Sequence, residues 1–221
     1  MRKKHSLITR LWHWINAICV IVLFMSGLGI SNAHRYLYWG DAGSQPEEAW
    51  TAVMRFPDLA TIPGHYNLAL SRDWHILMAW PFAVALMIMW IAMLMNGHFW
   101  RDLRTRAAEW RPGAIWRDIA EHLKLNFEHG DAKYNFLQKL AYGLVFGIFL
   151  PIMVFTGMAI SPGVEPAAPW LVEMFGGRQS ARSIHFLAAW GLFIFFVIHI
   201  VLVLLSGPIR QVRDMISGGS E

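Results

Sequence analysis

The sequence is poor in cysteine, because Cys19 is the only one among 221 residues. A single cysteine excludes an internal disulfide, covalent haem attachment through Cys-x-x-Cys-His, and an iron–sulfur cluster ligated by cysteines of this chain. Cys19 itself lies in an apolar run, so we interpret it as a small buried hydrophobic residue. Any metal chemistry of this chain therefore depends on other side chains.

Charge is also scarce. Asp, Glu, Lys and Arg make up 15% of the residues, whereas an ordinary soluble domain has about 25%. Hydrophobic residues reach 56%, and the chain contains 12 Trp and 14 Phe. Aromatic residues collect at membrane interfaces and around flat cofactors. The composition therefore predicts an integral membrane protein whose main partner is the lipid bilayer.

Four apolar runs are long enough to cross a bilayer, whose hydrocarbon core of about 30 Å requires roughly 20 residues of helix. They cover residues 7–30, 74–95, 137–160 and 184–205. Pro81 and Pro151 lie inside the second and third runs, where we expect kinks that a membrane bundle tolerates. We predict an all-α, integral membrane four-helix bundle that forms a single domain over residues 1–221.

The first run has an alternative interpretation as a signal peptide, because it follows three basic residues and precedes Ser31-Asn32-Ala33. The run is longer than the apolar region of a signal peptide, and Arg10, His13 and Asn16 interrupt it. We therefore favour a retained membrane span.

The distribution of Lys and Arg predicts the orientation of the spans, since the more basic loops stay in the cytoplasm. The first ten residues, residues 96–136 and the C-terminal tail together hold 13 Lys and Arg, against five in the loops 31–72 and 161–182. Both termini are therefore expected in the cytoplasm. The basic segment, residues 96–136, is expected to lie along the anionic inner leaflet. The net charge of +4 therefore does not require a nucleic acid partner. The long first outer loop is expected to pack on the bundle or on a partner.

Four histidines lie within or at the edges of the predicted spans: His13, His75, His185 and His199. Ionisable side chains in a membrane are costly and by default suggest function, although each one alone could be an interfacial residue. His185 and His199 are 14 residues apart on one helix, which brings both to one face about 21 Å apart along the axis. The antiparallel topology then pairs His13 with His199 near the inner side and His75 with His185 near the outer side.

Two imidazoles that face each other suit the two axial positions of a haem iron, and an iron ligated in this way transfers electrons rather than binding substrate. Zinc would require three or four converging ligands. A proton relay would add Asp or Glu inside the spans, and their interiors contain none. Arg10, three residues before His13, is a candidate propionate partner or an ordinary interfacial arginine. Small residues near the ligands could admit a flat ring or simply serve helix packing: Gly27, Gly29, Gly143, Gly147, Gly157 and Gly191.

These residues resemble a known family. The motif Arg10-Leu-Trp-His13-Trp14, the paired histidines of the last span and the motif Lys133-Tyr-Asn135-Phe-Leu-Gln138-Lys139 resemble the bacterial di-haem cytochrome b561 family. Pro151 followed by Thr156-Gly157 adds to the resemblance, which extends from about Thr9 to Gly207. Within the family, the chain is similar to the membrane cytochrome b subunits of formate dehydrogenases, nickel–iron hydrogenases and thiosulfate reductases.

The resemblance implies two b haems in the bacterial inner membrane. His13 and His199 would ligate the inner haem iron, and His75 and His185 the outer one. It also implies a quinone as an exchangeable substrate near the inner haem. Asn135 and Gln138 match the family segment that lines the quinone pocket, and helix capping is their alternative role.

The function implied by the resemblance is that of a multi-pass electron-transfer subunit, which carries electrons between a periplasmic or membrane-associated redox subunit and the quinone pool. A stand-alone superoxide:quinone oxidoreductase of the same fold is the alternative. It would need a basic funnel for the anion, whereas the two outer loops hold five Lys and Arg against six Asp and Glu. A third interpretation, a structural anchor or transporter without haem, predicts a colourless protein.

Overall fold

The computed structural model describes residues 6–43, 45–97, 99–123, 135–205 and 207–219. The basic residues at positions 2–4, most of the second half of the basic segment, and the Lys133-Tyr134 start of the family-like motif lie outside these ranges. The described part of the chain is mostly helical.

The described helices and strands follow in the order α1 (Leu7–Ala33), β1 (Tyr36–Leu37), β2 (Thr51–Ala52), α2 (Leu68–Met95), α3 (Pro112–Leu123), α4 (Phe136–Leu144), α5 (Leu150–Ile160), α6 (Trp170–Met174), α7 (Arg178–Leu205) and α8 (Pro208–Ser217). A π-helical turn over Val145–Phe149 joins α4 to α5. Four helical segments are long and apolar enough to cross a bilayer: α1, α2, Phe136–Ile160 and α7. The prediction of an all-α membrane protein with four spans is confirmed, and the cytoplasmic position of the termini stays a prediction.

The second and fourth spans are longer than the sequence predicts. We expected them to begin at residues 74 and 184, whereas α2 begins at Leu68 and α7 at Arg178. Hydropathy detects only the part of a helix that lies in the hydrocarbon core, but a helix continues wherever its polar side chains find partners. Ser71 and Ser183, one in each extension, donate hydrogen bonds to loop carbonyls at 3.0 and 2.7 Å.

The helix of the third span is distorted just before Pro151. Proline has no backbone N–H, and its ring crowds the carbonyl four residues earlier, which here belongs to Gly147. In the π-helical turn the N–H of Leu150 donates to the carbonyl of Val145, five residues earlier. Turns of this kind are common where the ordinary hydrogen bonds of an α-helix are interrupted. Here Pro151 interrupts them.

The chain divides into two compact units. One unit comprises Met1–Leu86 and Ile152–Glu221 and contains all four histidines discussed above. The other unit comprises Met87–Pro151 and contains Asn135 and Gln138. The expected single domain over residues 1–221 stays a prediction.

The loop between α1 and α2 packs on the start of α7. Strands β1 and β2 pair antiparallel, with Tyr36 opposite Ala52. The carbonyl of Gly40 then accepts hydrogen bonds from the backbone N–H groups of Gln179 and Ser180 at 3.0 and 3.1 Å. These amides belong to the first turn of α7 and have no acceptor within their own helix. The loop thus packs on the bundle, one of the two positions expected from the sequence.

Close backbone approach fixes this packing. Gly177, just before α7, has φ +109°, a conformation that side chains rarely adopt. A Cβ atom at Gly177 would overlap the backbone of Gly40. The contact between loop and helix therefore requires glycine at position 177.

Candidate functional site

The side chains of His75 and His185 face each other across two helices. Each is the eighth residue of its helix, His75 in α2 and His185 in α7. Their ring centres are 6.2 Å apart, and the ring planes make an angle of 62°. The first residues of α2 and α7 both lie near these histidines. Equal positions along the two helices therefore bring the two rings to the same level.

The side chains of His13 and His199 form a second pair. His13 is the seventh residue of α1, and His199 is the seventh residue from the end of α7. Their ring centres are 6.5 Å apart, with an interplanar angle of 56°. The two pairs therefore lie near opposite ends of α7. The structure brings together the same pairs that antiparallel topology predicts.

The spacing within each pair suits an iron ion between the two rings. An imidazole nitrogen lies about 2 Å from a first-row metal that it ligates, so two imidazoles on opposite sides of one iron have ring centres about 6 Å apart. The observed 6.2 and 6.5 Å match this spacing. Among the residues that the structure describes, no three His, Cys, Asp or Glu side chains converge on one point. The paired imidazoles are therefore the candidate metal ligands of the described chain, and their role as ligands stays a prediction.

Two arginines carry buried donors that a carboxylate would satisfy. Arg10 precedes His13 by three residues, and Arg182 precedes His185 by three. In the part of the chain that the structure describes, the buried Nε atom of each arginine has no hydrogen-bond partner. Their Nη atoms do donate, from Arg10 to the carbonyl of Ile216 and from Arg182 to that of Tyr36. Donors of this kind fit the propionates of a haem, and the propionate role of Arg10 stays a prediction.

The rings of His75 and His185 also contact hydroxyl groups to which the sequence assigned no role beside a histidine, although Thr156 belongs to the family-like motif. Ser26 Oγ, on α1, lies 3.0 Å from Nδ1 of His75. Thr156 Oγ1, on α5, lies 2.8 Å from Nδ1 of His185. The signal was present in the sequence, because each hydroxyl residue is followed by glycine within an otherwise apolar span. A Cβ atom built at either following glycine, Gly27 or Gly157, would lie 3.5 Å from Cε1 of the same histidine.

Asn135 and Gln138 contact each other and form a capping box at the start of α4. Asn135 Oδ1 accepts from the N–H of Gln138 at 2.8 Å, and Gln138 Oε1 accepts from the N–H of Asn135 at 3.4 Å. Such a box satisfies two amides that a helix start leaves without partners. The structure thus assigns both side chains the capping role that the sequence offered as the alternative. Their role in quinone binding stays a prediction.

The unit that contains Asn135 also holds a basic cavity of about 320 Å³. It is lined by Trp100, Arg101, Arg104, Thr105, Arg106, Ala107 and Lys139. Lys139 Nζ contacts Glu109 Oε1 at 2.7 Å. Burial acts to raise the pKa of Glu109, but hydrogen bonds from Lys139 and the Arg106 backbone, with the positive charges of both residues, hold this pKa below its usual value. Glu109 is therefore ionised and offsets part of the positive charge.

A second group of basic side chains lies near the His75–His185 pair. His34 follows the last residue of α1. Burial lowers the pKa of His34, and the positive charges of Arg182 and Arg72 lower this pKa further. These two arginines each lie three residues before a histidine of the pair. Positive charge is therefore concentrated locally, although the loops 31–72 and 161–182 together are not basic.

Comparison with known proteins relates the chain to membrane cytochromes. A family model described as prokaryotic cytochrome b561 matches residues 4–218. A putative protein-methionine-sulfoxide reductase subunit YedZ1 from Azospira oryzae is 27% identical over 197 residues, which cover 89% of this chain and 87% of that protein. A probable Ni/Fe-hydrogenase B-type cytochrome subunit from Cupriavidus necator is 24% identical over 230 residues, covering 95% and 82%. A protein of the same description from Azotobacter chroococcum is 26% identical over 208 residues, covering 87% and 76%.

Proposed function

The chain belongs to the prokaryotic cytochrome b561 family, and from this premise we propose that it binds two b haems and carries electrons across the bacterial inner membrane between a periplasmic redox subunit and the quinone pool. Membership of the family makes it a multi-pass membrane b-type cytochrome that works in electron transfer. The interpretation as an anchor or transporter without haem is therefore set aside.

The observation that carries the proposal is the pair of facing imidazoles at each end of α7. His13 with His199, and His75 with His185, have the ring spacing that one iron between two imidazoles requires. When bound, each haem supplies a one-electron redox couple tuned by its axial ligands and their surroundings. With both histidines of a pair bound to the iron, no position would remain for oxygen or substrate. This restriction favours electron transfer over substrate chemistry.

One helix sets the distance between the two sites. His185 and His199 are 14 residues apart on α7, so their Cα atoms are separated by about 21 Å along the helix axis. This is a large part of the bilayer core, which is about 30 Å thick. A single site could not approach both faces of the membrane, whereas two sites at these depths can. The spacing thus supports electron transfer across the membrane.

The relatives suggest the kind of partner. One is described as a subunit of a methionine-sulfoxide reductase, and others as cytochrome subunits of nickel–iron hydrogenases. We propose that this chain likewise serves a catalytic subunit. The loop between α1 and α2 offers apolar surface for it, because Leu59, Met54 and Tyr66 are 93, 71 and 65% exposed. A contiguous apolar patch marks a contact site, and we propose that these side chains form part of one.

For the quinone, we propose the amino-terminal end of the third span. Asn135 and Gln138 use one oxygen each in the capping box, and an amide also carries N–H donors. Such donors can hydrogen-bond a quinone carbonyl while the ring lies against apolar side chains. The proposal is tested by measuring quinone reduction by the cytochrome after Asn135→Asp or Gln138→Glu, which keep the side-chain oxygen required for capping.

The proposal as a whole is tested by the haem content of the chain purified in mild detergent. We expect a b-type absorption band after reduction with dithionite and about two haems per chain in a quantitative haem assay. Purified protein that stays colourless after expression with ample haem supply would overturn the proposal. Identification of proteins that co-purify in the same detergent would test the redox partner.

A second candidate function is that of a superoxide:quinone oxidoreductase. The specific observation in its favour is the local positive charge of Arg72 and Arg182 around His34, since such a patch attracts a small anion. The two candidates differ in a simple experiment. Rapid reduction of the purified cytochrome by superoxide, with no protein partner present, would favour the second candidate, whereas reduction only through a co-purifying subunit would favour the first.

A further inference from the structure

We propose that Ser26 and Thr156 are positioning residues that hold both imidazoles of the His75–His185 pair in the Nδ1–H tautomer, with Nε2 of each ring directed to the metal. The inference rests on the proposed haem-binding function and adds two residues that act on the ligands rather than on the metal. It concerns the His75–His185 pair.

Ser26 is fully buried on α1, with 0% of its surface exposed. Its hydroxyl donates to the carbonyl of Val22 at 2.7 Å, and its oxygen lies 3.0 Å from Nδ1 of His75. A hydroxyl has one hydrogen but two acceptor lone pairs. With that hydrogen on the carbonyl, the oxygen accepts a hydrogen bond, and the donor is the Nδ1–H group of His75.

Thr156 repeats this arrangement on a different helix. It is also 0% exposed, and its hydroxyl donates to the carbonyl of Ile152, four residues earlier in the third span. Its oxygen lies 2.8 Å from Nδ1 of His185. Thus two hydroxyls, each anchored to the preceding turn of its own helix, accept hydrogen bonds from two histidines of neighbouring helices.

The opposite tautomer does not suit a metal between the rings. If a hydroxyl donated to Nδ1, the neutral imidazole would carry its hydrogen on Nε2, which then could not ligate iron. Which ring nitrogen binds a metal is set by the hydrogen bond that the other nitrogen makes. The hydroxyls of Ser26 and Thr156 therefore select the ligating tautomer before haem binds.

The glycine that follows each hydroxyl residue contributes to the same geometry. A Cβ atom at Gly27 or Gly157 would be 3.5 Å from Cε1 of the facing imidazole. The Nδ1–Cε1 edge of each ring therefore lies against a stretch of helix where a hydroxyl and a bare backbone are adjacent. Hydrogen bonding and packing together orient the ring, as outer partners of metal-ligating histidines commonly do.

A hydrogen bond from Nδ1–H makes the imidazole a more basic ligand, which favours the oxidised iron. Removal of the acceptor should therefore raise the midpoint potential of one haem and leave the other unchanged. We expect about a tenfold change in the ratio of reduced to oxidised haem at a fixed potential, which corresponds to about 59 mV for a one-electron couple.

The test uses the full chain in mild detergent and measures haem per chain and both midpoint potentials by spectroelectrochemical titration. Thr156→Val and Ser26→Ala remove an acceptor, and Thr156→Ser retains it. Ser71→Ala is the matched control, because this buried hydroxyl lies on the same helix as His75 but donates to the carbonyl of Ile62.

We expect Thr156→Val and Ser26→Ala each to raise one potential or to lose one haem. Thr156→Ser and Ser71→Ala should keep both haems at the wild-type potentials. Two haems at wild-type potentials in both Thr156→Val and Ser26→Ala would overturn the inference and leave the proposed function intact. An equal change in Ser71→Ala would also overturn it, since the effect would then be structural. Absence of haem from the wild-type protein would overturn the proposed function and the inference together.

Discussion

The imidazole of His199, near the end of α7, faces that of His13, near the start of α1, with ring centres 6.5 Å apart. Because α7 also carries His185 fourteen residues earlier, one helix contributes a histidine to both pairs. Mutation should therefore separate the two proposed sites, since each pair has one histidine of its own on another helix.

The first prediction concerns this separation. His199→Ala should lower the haem content from about two to about one per chain, because the remaining His13 provides one axial ligand where two are needed. A quantitative haem assay with reduced-minus-oxidised spectra measures the change. His65→Ala is the control, since His65 is exposed in a loop, and it should retain both haems. If His199→Ala also retained both, the pairing of ligands would be wrong.

The second prediction concerns the glycine against His185. A Cβ atom at Gly157 would make an ordinary contact of 3.5 Å with the ring, so Gly157→Ala should retain both haems. Gly157→Leu should lose the haem ligated by His185, because the longer side chain requires the space of the imidazole. Haem content and absorption spectra test both variants. Gly113→Leu provides the comparison, since a Cβ atom at Gly113 meets no described atom within 4 Å, and a similar loss there would argue against a local effect.

The third prediction concerns the attachment of the long loop to α7. Gly177→Ala should destabilise the protein by about 1–3 kcal/mol from the unfavourable backbone conformation alone, and the overlap with Gly40 adds to this. The expected result is a lower apparent unfolding temperature and faster proteolysis within the loop. Gly97→Ala separates the two causes, because Gly97 has φ +66° but no described atom lies within 4 Å of its Cβ position. If Gly177→Ala and Gly97→Ala lower the unfolding temperature equally, the close contact with Gly40 is not the cause.

The fourth prediction concerns pH. The pKa of Glu109 in the folded protein lies below its ordinary value of 4.5, because Lys139 and Arg106 outweigh the opposing effect of burial. The ion pair therefore contributes to stability above the ordinary pKa, and the contribution is lost as the pH falls through the lowered folded-state value. Glu109→Gln should remove it, so its apparent unfolding temperature should be lower than that of the wild type at neutral pH.

The difference between wild type and Glu109→Gln should shrink as the pH falls below about 4.5 and the wild-type carboxylate becomes protonated. Unfolding followed by circular dichroism in one detergent across this range measures the effect. A constant difference at all pH values would show that the carboxylate charge contributes nothing.

Several features were predictable because the membrane restricts them strongly. A span needs a run of apolar residues, so the four helices follow directly from hydropathy. Histidines within or at the edges of such runs suggest function, and the set of four singles out His13, His75, His185 and His199 before any fold is known. The true helix starts, at Leu68 and Arg178, were not predictable from hydropathy, because polar residues outside the hydrocarbon core remain helical when a loop supplies partners.

The roles of some polar residues could not be predicted from the sequence. Asn135 and Gln138 fit a quinone pocket and a capping box equally well in sequence, and the side-chain contacts show the box. For Ser26 and Thr156 the sequence predicts no more than a hydrogen bond within their own helix, since a hydroxyl in a helix commonly donates to the carbonyl of the preceding turn. Their second contact, with a histidine of another helix, depends on how the helices are rotated about their axes.

By itself, then, the amino-acid sequence determined the number of spans and the position of each histidine along its span, because apolar length and position along a helix are one-dimensional properties. Only the tertiary structure decided which hydroxyl and which glycine lie against each imidazole. Those contacts depend on the rotation and separation of neighbouring helices, and these follow from the packing of all side chains together.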